Sequence, residues 1–377
     1  MKRLVLLGGG HAHVQVLAAM AREPMPGVHA VLVTPFARQI YSGMMPGWVA
    51  GHYALDDCAI ALEPLVRAAQ AELALSSATA LNVAERTITL SDGRVAEYDV
   101  LSIDTGAQQD RDAIAGGRTH GLFIRPIEHF VKLYEGLLAL AQTRVLDIVV
   151  VGGGAAGFEI ALALQHRLAP AGAGAAAQAR VCLVTGDASV LAGFGEPVRR
   201  RAMEALRRAR ITVINQRCVE IGDTHVLLDN GARVVCDVPV MALPTVAPSW
   251  LANSGLTLDA QGFVATNAML QSTSHPQVFA AGDVSTRQDM TLPRSGVFAV
   301  RAGPALALNL RRALAGGQLQ EWRTTPRSLY LLSCGGRRAI ASWGDWSAQG
   351  RWVWLWKDGI DRRFIARYVL PGASGSS

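Results

Sequence analysis

Residues 145–161, "VLDIVVVGGGAAGFEIA", carry an apolar run into three glycines and an apolar-periodic segment out of them. A strand, a tight phosphate-cradling turn and a helix are written this way. In Gly152-x-Gly154-x-x-Gly157 the first glycine permits the turn, the second lets a backbone approach a pyrophosphate, and the third lets the helix pack closely on the strand. The N-terminus repeats the design. "LVLLGGGHAHVQVL", residues 4–17, runs through Gly8, Gly9 and Gly10, but His13 stands where the third glycine belongs, with His11 beside it. Two strand–glycine–helix units in one chain weigh far more than one, because the flanking periodicity has to arise twice.

Outward from these units the chain keeps a strand-rich rhythm. Residues 80–106 alternate in short runs around Asp92-Gly93 and end in an apolar strand and Thr105-Gly106; residues 212–243 repeat the pattern around Asn230-Gly231. Each follows a glycine turn, so the α/β chain reads as two copies of one plan: a βαβ unit, a meander and a closing strand. "APAGAGAAAQA" (169–179) reads as a flexible surface loop in the second copy.

Composition narrows the class. The chain has 377 residues, half of them hydrophobic and 18% charged, which suits a globular protein with well-buried cores. A net charge of +6 favours anionic partners without choosing among nucleotide, membrane surface and nucleic acid. The basic residues are scattered and no nucleic-acid-binding motif accompanies them, so nucleic acid is not expected. Nine histidines are dispersed, and no metal site is expected. Five cysteines, Cys58, Cys182, Cys218, Cys236 and Cys334, lie far apart, as in a reducing compartment, and the expected location is cytoplasmic. The apolar run of "MKRLVLLGGG" is too short for a signal peptide, and no stretch of about 18 apolar residues occurs to span a bilayer.

A third stretch adds the chemistry. "HPQVFAAGDVS" (275–285) sets an apolar strand before Gly282-Asp283, a close backbone approach beside a carboxylate, which suits a polyol such as ribityl. With the glycine turns, Thr105-Gly106 and "FAAGD" in this order over nearly its whole length, the chain resembles the pyridine nucleotide-disulphide oxidoreductase superfamily. The resemblance implies two Rossmann-like dinucleotide-binding domains: an FAD domain over 1–110 and 244–311, an NAD(P)H domain over 111–243 inserted in it, and a small C-terminal cap over 312–377. FAD would fall to Gly8, Gly9, Gly10, His11 and Ala12 at the pyrophosphate, to Thr105 and Gly106, to Gly282 and Asp283 at the ribityl chain, and to Val297. NAD(P)H would fall to Gly152, Gly154, Ala155, Ala156 and Gly157.

"GGGHAH", "YSGMMPGWVAGHY" (41–53), "LPRSGVFAVRAGPALALNL" (292–310) and "WKDGIDRRF" (356–364) look like a narrower branch, the flavoprotein module that occurs fused ahead of selenide, water dikinase. Type II NADH:quinone and sulfide:quinone oxidoreductases are close to it in plan. In that branch a histidine at the third small position is part of the pattern. His13 is then either a space-filler between helix and sheet or a cofactor contact. The resemblance sets Ser42, Gly43, Met44 and Pro46 beside the isoalloxazine, Glu159 where hydride donor and acceptor are oriented, and Arg294, at a position where the branch commonly has lysine, to steady the reduced flavin's anion.

Cysteine usage limits the chemistry. Disulphide reductases of the superfamily carry two redox cysteines close together, and here Cys58 has no near partner. The reading that remains is hydride transfer from NAD(P)H to FAD, followed by reduction of a quinone or another small acceptor. Sulfide:quinone-type or selenium-linked chemistry and a flavin-binding redox sensor without turnover stand as alternatives. Thr185-Gly186 replaces the acid that often marks an NADH enzyme, which leaves NADPH open. The basic run Arg199 to Arg201 reads first as a solvated helix face and second as a partner for a 2′-phosphate. Five of the eight tryptophans lie between Trp343 and Trp356, and Trp352, Trp354 and Trp356 alternate as a strand would. Tryptophan with arginine suits a membrane–water boundary, here the inner face of the membrane, or else a homodimer interface or ordinary packing over the active site.

Overall fold

The computed structural model describes residues 1–169 and 178–369. Apart from its ends, the Ala/Gly-rich stretch 169–179 lies outside them. The expected α/β repeat is present as two parallel five-stranded sheets of the same plan. The first holds β1 (Lys2–Leu7), β2 (Val28–Thr34), β3 (Glu72–Leu75), β4 (Val100–Ile103) and a strand returning from far along the chain, Val278–Ala280. Its order is Val278–Ala280, β4, β1, β2, β3. The second holds β5 (Leu122–Phe123), β6 (Leu146–Val151), β7 (Ala179–Val184), β8 (Thr212–Ile214) and β9 (Val238–Met241), in the order β5, β9, β6, β7, β8. In both sheets the glycine turn leaves the central strand, with the closing strand on one side of it and the crossover partner on the other.

Parallel sheets must be covered on both faces, and for that reason the central strands run apolar and buried over Leu4–Leu7 and Ile148–Val151. Leu4 and Leu6 of β1 face a core built on α1 (His11–Arg22), while Val5 and Leu7 face a second core under the three-stranded meander of residues 78–97. The second sheet repeats this. Ile148 and Val150 face α2 (Ala155–Leu168), and Val149 and Val151 pack against the meander of residues 218–235. The helix α3 (Glu196–Arg208) follows β7, and α4 (Gly296–Ala315) lies against α1.

A C-terminal layer follows: β10 (Tyr330–Cys334), β11 (Gly336–Trp343) and β12 (Trp346–Gly350) form an antiparallel sheet, and α5 (Arg351–Ala366) packs on it. The strand expected from Trp352, Trp354 and Trp356 is therefore a helix. Alternation over three residues is outweighed by a longer period: Val353, Trp354, Lys357, Asp361, Phe364 and Ile365 are the buried set, at helical spacing. Among the described residues no helix is long and apolar enough to cross a membrane.

Candidate functional site

At the first turn β1 delivers Gly8 at φ +98°, where a Cβ would lie 2.4 Å from the Asp104 carbonyl oxygen, so only glycine fits. The helix α1 then starts under an internal cap. One Asp104 carboxylate oxygen accepts the backbone N–H of Ala12 at 2.8 Å and of His13 at 3.0 Å. His13 is fully buried behind the turn, with Nδ1 2.6 Å from the Gly8 carbonyl and Nε2 2.8 Å from the Ser102 hydroxyl. Since a carbonyl can only accept, Nδ1 carries the proton and Nε2 accepts from Ser102. Burial pushes the ring's pKa down to about 4, which keeps it neutral. His13 thus bolts helix to sheet and takes no part in lining the cavity in front of the turn.

That cavity, about 560 Å³, is bordered by Gly8, Gly9, Gly10, His11, Ser42, Thr105, Gly106 and Asp283 of the expected residues. Ala12 gives its amide to Asp104, Met44 and Pro46 are buried in the short helical stretch Ser42–Val49, and Gly282 borders a smaller adjoining recess. Val297, half-buried, sits in the first turn of α4. Three residues that the sequence reading passed over also line the cavity: Arg38, Asp104 and Arg125. Arg125 Nη1 lies 3.0 Å from the Asp283 carboxylate, and Arg38 forks onto Glu128 at 2.9 and 3.2 Å. The buried His11 Nε2 has no hydrogen-bond partner, and burial lowers its pKa to about 4. Burial raises the Asp104 carboxyl to about 8, so at pH 7 it is mainly protonated.

The second turn is built more openly. Gly152 sits at φ +126°, a Cβ on Gly157 would fall 1.8 Å from the Gly152 carbonyl oxygen, and nothing lies within 4 Å of one on Gly154. Gly154 and Ala156 are exposed and Ala155 is half-buried at the start of α2. One turn further, Glu159 Oε1 accepts the Ser333 amide of β10 at 2.7 Å, and burial raises its pKa to about 7 against the opposing charge of Lys357. Lys357, on α5, is itself buried; its ammonium donates to the Gly43 carbonyl and to Asp361 at 2.6 Å. Phe364 of the same helix stacks on Tyr41, ring centroids 4.5 Å apart. The cation brought to the Ser42–Pro46 loop is therefore Lys357, which no motif announced beyond its place in "WKDGIDRRF". No ion pair or hydrogen bond joins Glu159 to Arg294. Arg294 is held by Asp259 at 3.1 Å, Gln261 at 3.0 Å and Thr286 at 2.7 Å, with its guanidinium 3.6 Å over the Phe263 ring.

Residues 2–303 match the family model described as pyridine nucleotide-disulphide oxidoreductase. The chain belongs to that family. A demethylphylloquinone reductase, NdbB of Synechocystis sp., is 28% identical over 254 residues, 65% of this chain and 61% of that protein. The chain thus spans about three fifths of that relative's length. Among solved structures, the sulfide:quinone oxidoreductase of Aquifex aeolicus aligns with a TM-score of 0.81 at 18% identity, over 98% of this chain and 91% of that one. NDH2 of Plasmodium falciparum, in complex with NADH, aligns with a TM-score of 0.79 at 12% identity, over 97% of both chains. These two likenesses concern the fold.

With membership of the pyridine nucleotide-disulphide oxidoreductase family come FAD and NAD(P)H as the cofactors. The cavity at the first turn fits FAD in its donor set. Two arginines and the glycine-turn backbone suit a diphosphate, a carboxylate suits ribityl hydroxyls, and an orphaned histidine nitrogen is left for a ligand polar group.

Proposed function

We propose that this chain is an FAD-dependent NAD(P)H dehydrogenase that passes hydride from NAD(P)H to flavin and the electrons on to a quinone or other small acceptor, with no redox disulphide between. The observation that carries this reading is the pairing of unlike turns. One is capped, over a cavity lined by arginines and carboxylates; the other is open, beside a half-buried glutamate and a buried lysine. The Synechocystis relative is named a quinone reductase, which supports the acceptor class. All five cysteines are free, and burial raises the thiols of Cys58 and Cys334 to about 12, so neither offers a thiolate at pH 7 for sulfur relay.

In this reading residues 1–110 and 244–311 hold FAD, and 111–243, inserted between, hold NAD(P)H. When bound, FAD supplies the chemistry the side chains lack, accepting a hydride and releasing electrons to a second substrate. The protein binds and orients. Gly8, Gly9, Gly10 and His11 cradle the diphosphate, Arg38 and Arg125 balance its charge, and Asp283 accepts from the ribityl hydroxyls. Lys357 fixes the Ser42–Pro46 loop through the Gly43 carbonyl. Glu159, with one oxygen engaged by Ser333 and a pKa of about 7, holds or gives up a proton at its other oxygen near neutral pH.

The acceptor side is α5. Its outer face exposes Trp352, Leu355, Trp356 and Ile360, and the tip of the β11–β12 hairpin exposes Trp343 and Trp346. Arg351, Arg362, Arg363 and Arg367 are exposed on or just beyond the same helix. Amphipathic rings with flanking cations match an anionic lipid surface, and a peripheral position at the inner face of the membrane would suit a lipid-dissolved quinone.

An anaerobic visible spectrum of the flavin-loaded protein, titrated with NADH and with NADPH, tests the chemistry. Bleaching of the flavin band by one of them, with recovery on adding a soluble quinone, is expected; no bleaching by either sinks the reading. Co-sedimentation with anionic vesicles but not with zwitterionic ones tests the surface. A dimer whose formation is abolished by Trp352→Ala, without vesicle binding, would assign that face to a second copy instead.

A further inference from the structure

The two nicotinamide dinucleotides differ only in a 2′-phosphate, and the acid that would favour the form without it is missing from the second turn. β7 ends at Val184, paired with Ile214, and Thr185 follows. Thr185 packs on the glycine turn, since a Cβ on Gly153 would lie 2.8 Å from its own Cβ. Its hydroxyl donates to Asn215 Oδ1 at 3.0 Å, and what it leaves for a ribose is a neutral acceptor without a carboxylate's charge. Asp187, the carboxylate of this loop, is turned to solvent and pairs with Arg217 at 3.3 Å. The loop then folds back onto the turn, where the Leu191 amide donates to the Gly153 carbonyl at 2.8 Å.

Within two residues of these contacts lies a cleft of about 540 Å³. Ser189, Val190 and Asn215 border it on one side, and α3 contributes Arg199, Arg200 and Arg207. Two carboxylates share the cleft, and both have partners: Glu196 with Arg199 at 2.6 Å and Glu204 with Arg208 at 3.5 Å. Arg199 Nη1 lies 3.4 Å from the Ser189 hydroxyl, while its Nε is buried with no partner. Arg200 makes no ion pair or side-chain hydrogen bond among the described residues. Donors without acceptors therefore gather beside the end of β7, where a doubly wound domain meets the adenosine ribose of its dinucleotide.

We propose that Arg199 and Arg200 bind the 2′-phosphate of NADPH in this cleft and make NADPH the preferred donor; this rests on the dehydrogenase reading above. A phosphomonoester presents the charge and the several acceptor oxygens that guanidinium forks are shaped to meet. NADH leaves the Arg199 Nε unsatisfied, and the carboxylates around the cleft, Asp187, Glu196 and Glu204, are already paired with Arg217, Arg199 and Arg208.

Calorimetric titration of the flavin-loaded protein with 2′,5′-ADP and with 5′-AMP isolates the phosphate from the redox chemistry. The 2′,5′-ADP is expected to bind at least about tenfold more tightly, the value of one good charge-assisted contact. Arg199→Ala, and independently Arg200→Ala, should each bring the ratio down toward one and lower kcat/KM for NADPH far more than for NADH. Because Arg200 makes no other side-chain hydrogen bond or ion pair among the described residues and is exposed, its loss probes the site with little disturbance of α3. Equal affinity for the two nucleotides, or an unchanged ratio in both variants, overturns the proposal. Selective 2′,5′-ADP binding without bleaching of the flavin by NADPH would instead sink the dehydrogenase reading and leave the cleft as a 2′-phosphonucleotide site.

Discussion

The two glycine turns occupy the same place in the same sheet plan and solve one problem in opposite ways. A helix leaving the central strand must come close to the carbonyl of the first glycine. In the second copy it does so by having no side chain, and Gly157 sits where any Cβ would collide with the Gly152 carbonyl oxygen. In the first copy His13 fills the interval with a ring that bonds the equivalent carbonyl, Gly8, and reaches Ser102 beyond it. Asp104 then closes the helix N-terminus from the neighbouring strand. The departure at His13 is thus compensated by a second one, at Asp104, and the pair belongs together. A capped helix over a cavity of about 560 Å³ suits a resident cofactor; an open one suits a nucleotide that must arrive and leave.

The contrast is most easily broken at Gly157. Gly157→Val drives a side chain into backbone that cannot yield, and we expect loss of NAD(P)H binding by titration with at least about 3 kcal/mol of destabilisation in denaturant melts. In the first copy, His13→Ala opens a void and strands the Gly8 carbonyl and the Ser102 hydroxyl. About 3 kcal/mol should be lost, with a lower flavin-to-protein absorbance ratio after gel filtration. If His13→Gly were instead as stable as the parent, the first turn would be able to close like the second, and the idea of paired departures would fail.

Where the copies meet, Glu159→Gln removes a group that titrates near pH 7. The rate of flavin reduction by NAD(P)H should fall about tenfold or more, and the limb of its pH profile near 7 should disappear. A variant that keeps this limb would move the titrating group elsewhere.

The smallest effect concerns Asp104. Its folded-state pKa of about 8 lies above the ordinary carboxylate value, so the folded protein holds a proton the unfolded chain has released. Its contribution to stability therefore declines as pH rises through the window up to about 8. His11 and His13 act in the opposite sense, since their depressed values of about 4 cost stability only as pH falls below 6.5. Between pH 6.5 and 8 the carboxyl groups remain, with Glu159 contributing up to about pH 7. Asp104→Asn should flatten the decline of thermal stability in this window, by at most about 1.4 kcal/mol per pH unit. An unchanged slope would show that Asp104 is ionised in the folded state.

Much of this molecule is legible in one dimension because the rules that write it are local. A strand–glycine–helix unit depends on periodicity and on positions that exclude a Cβ, and both copies and the α/β class follow from them. The meanders around Asp92-Gly93 and Asn230-Gly231 are equally local. The cavity-lining residues found without a motif came from elsewhere in the chain: Arg38 after β2, Asp104 at the end of β4 and Arg125 just before the segment that leads to β6. A lone arginine or aspartate carries no periodicity, and only the meeting of distant strands gives it a role. The tryptophan-rich segment failed as a strand because three alternating residues cannot report a burial pattern that extends over sixteen. Lys357 is the sharpest case. Its sequence context, between a tryptophan and an aspartate, suggests solvent, yet the packing of α5 on the C-terminal sheet buries it against Asp361 and the Gly43 carbonyl. Backbone conformation is set by neighbours along the chain and so was written in the sequence; the charge a site presents is set by neighbours in space, and only the tertiary structure decided it.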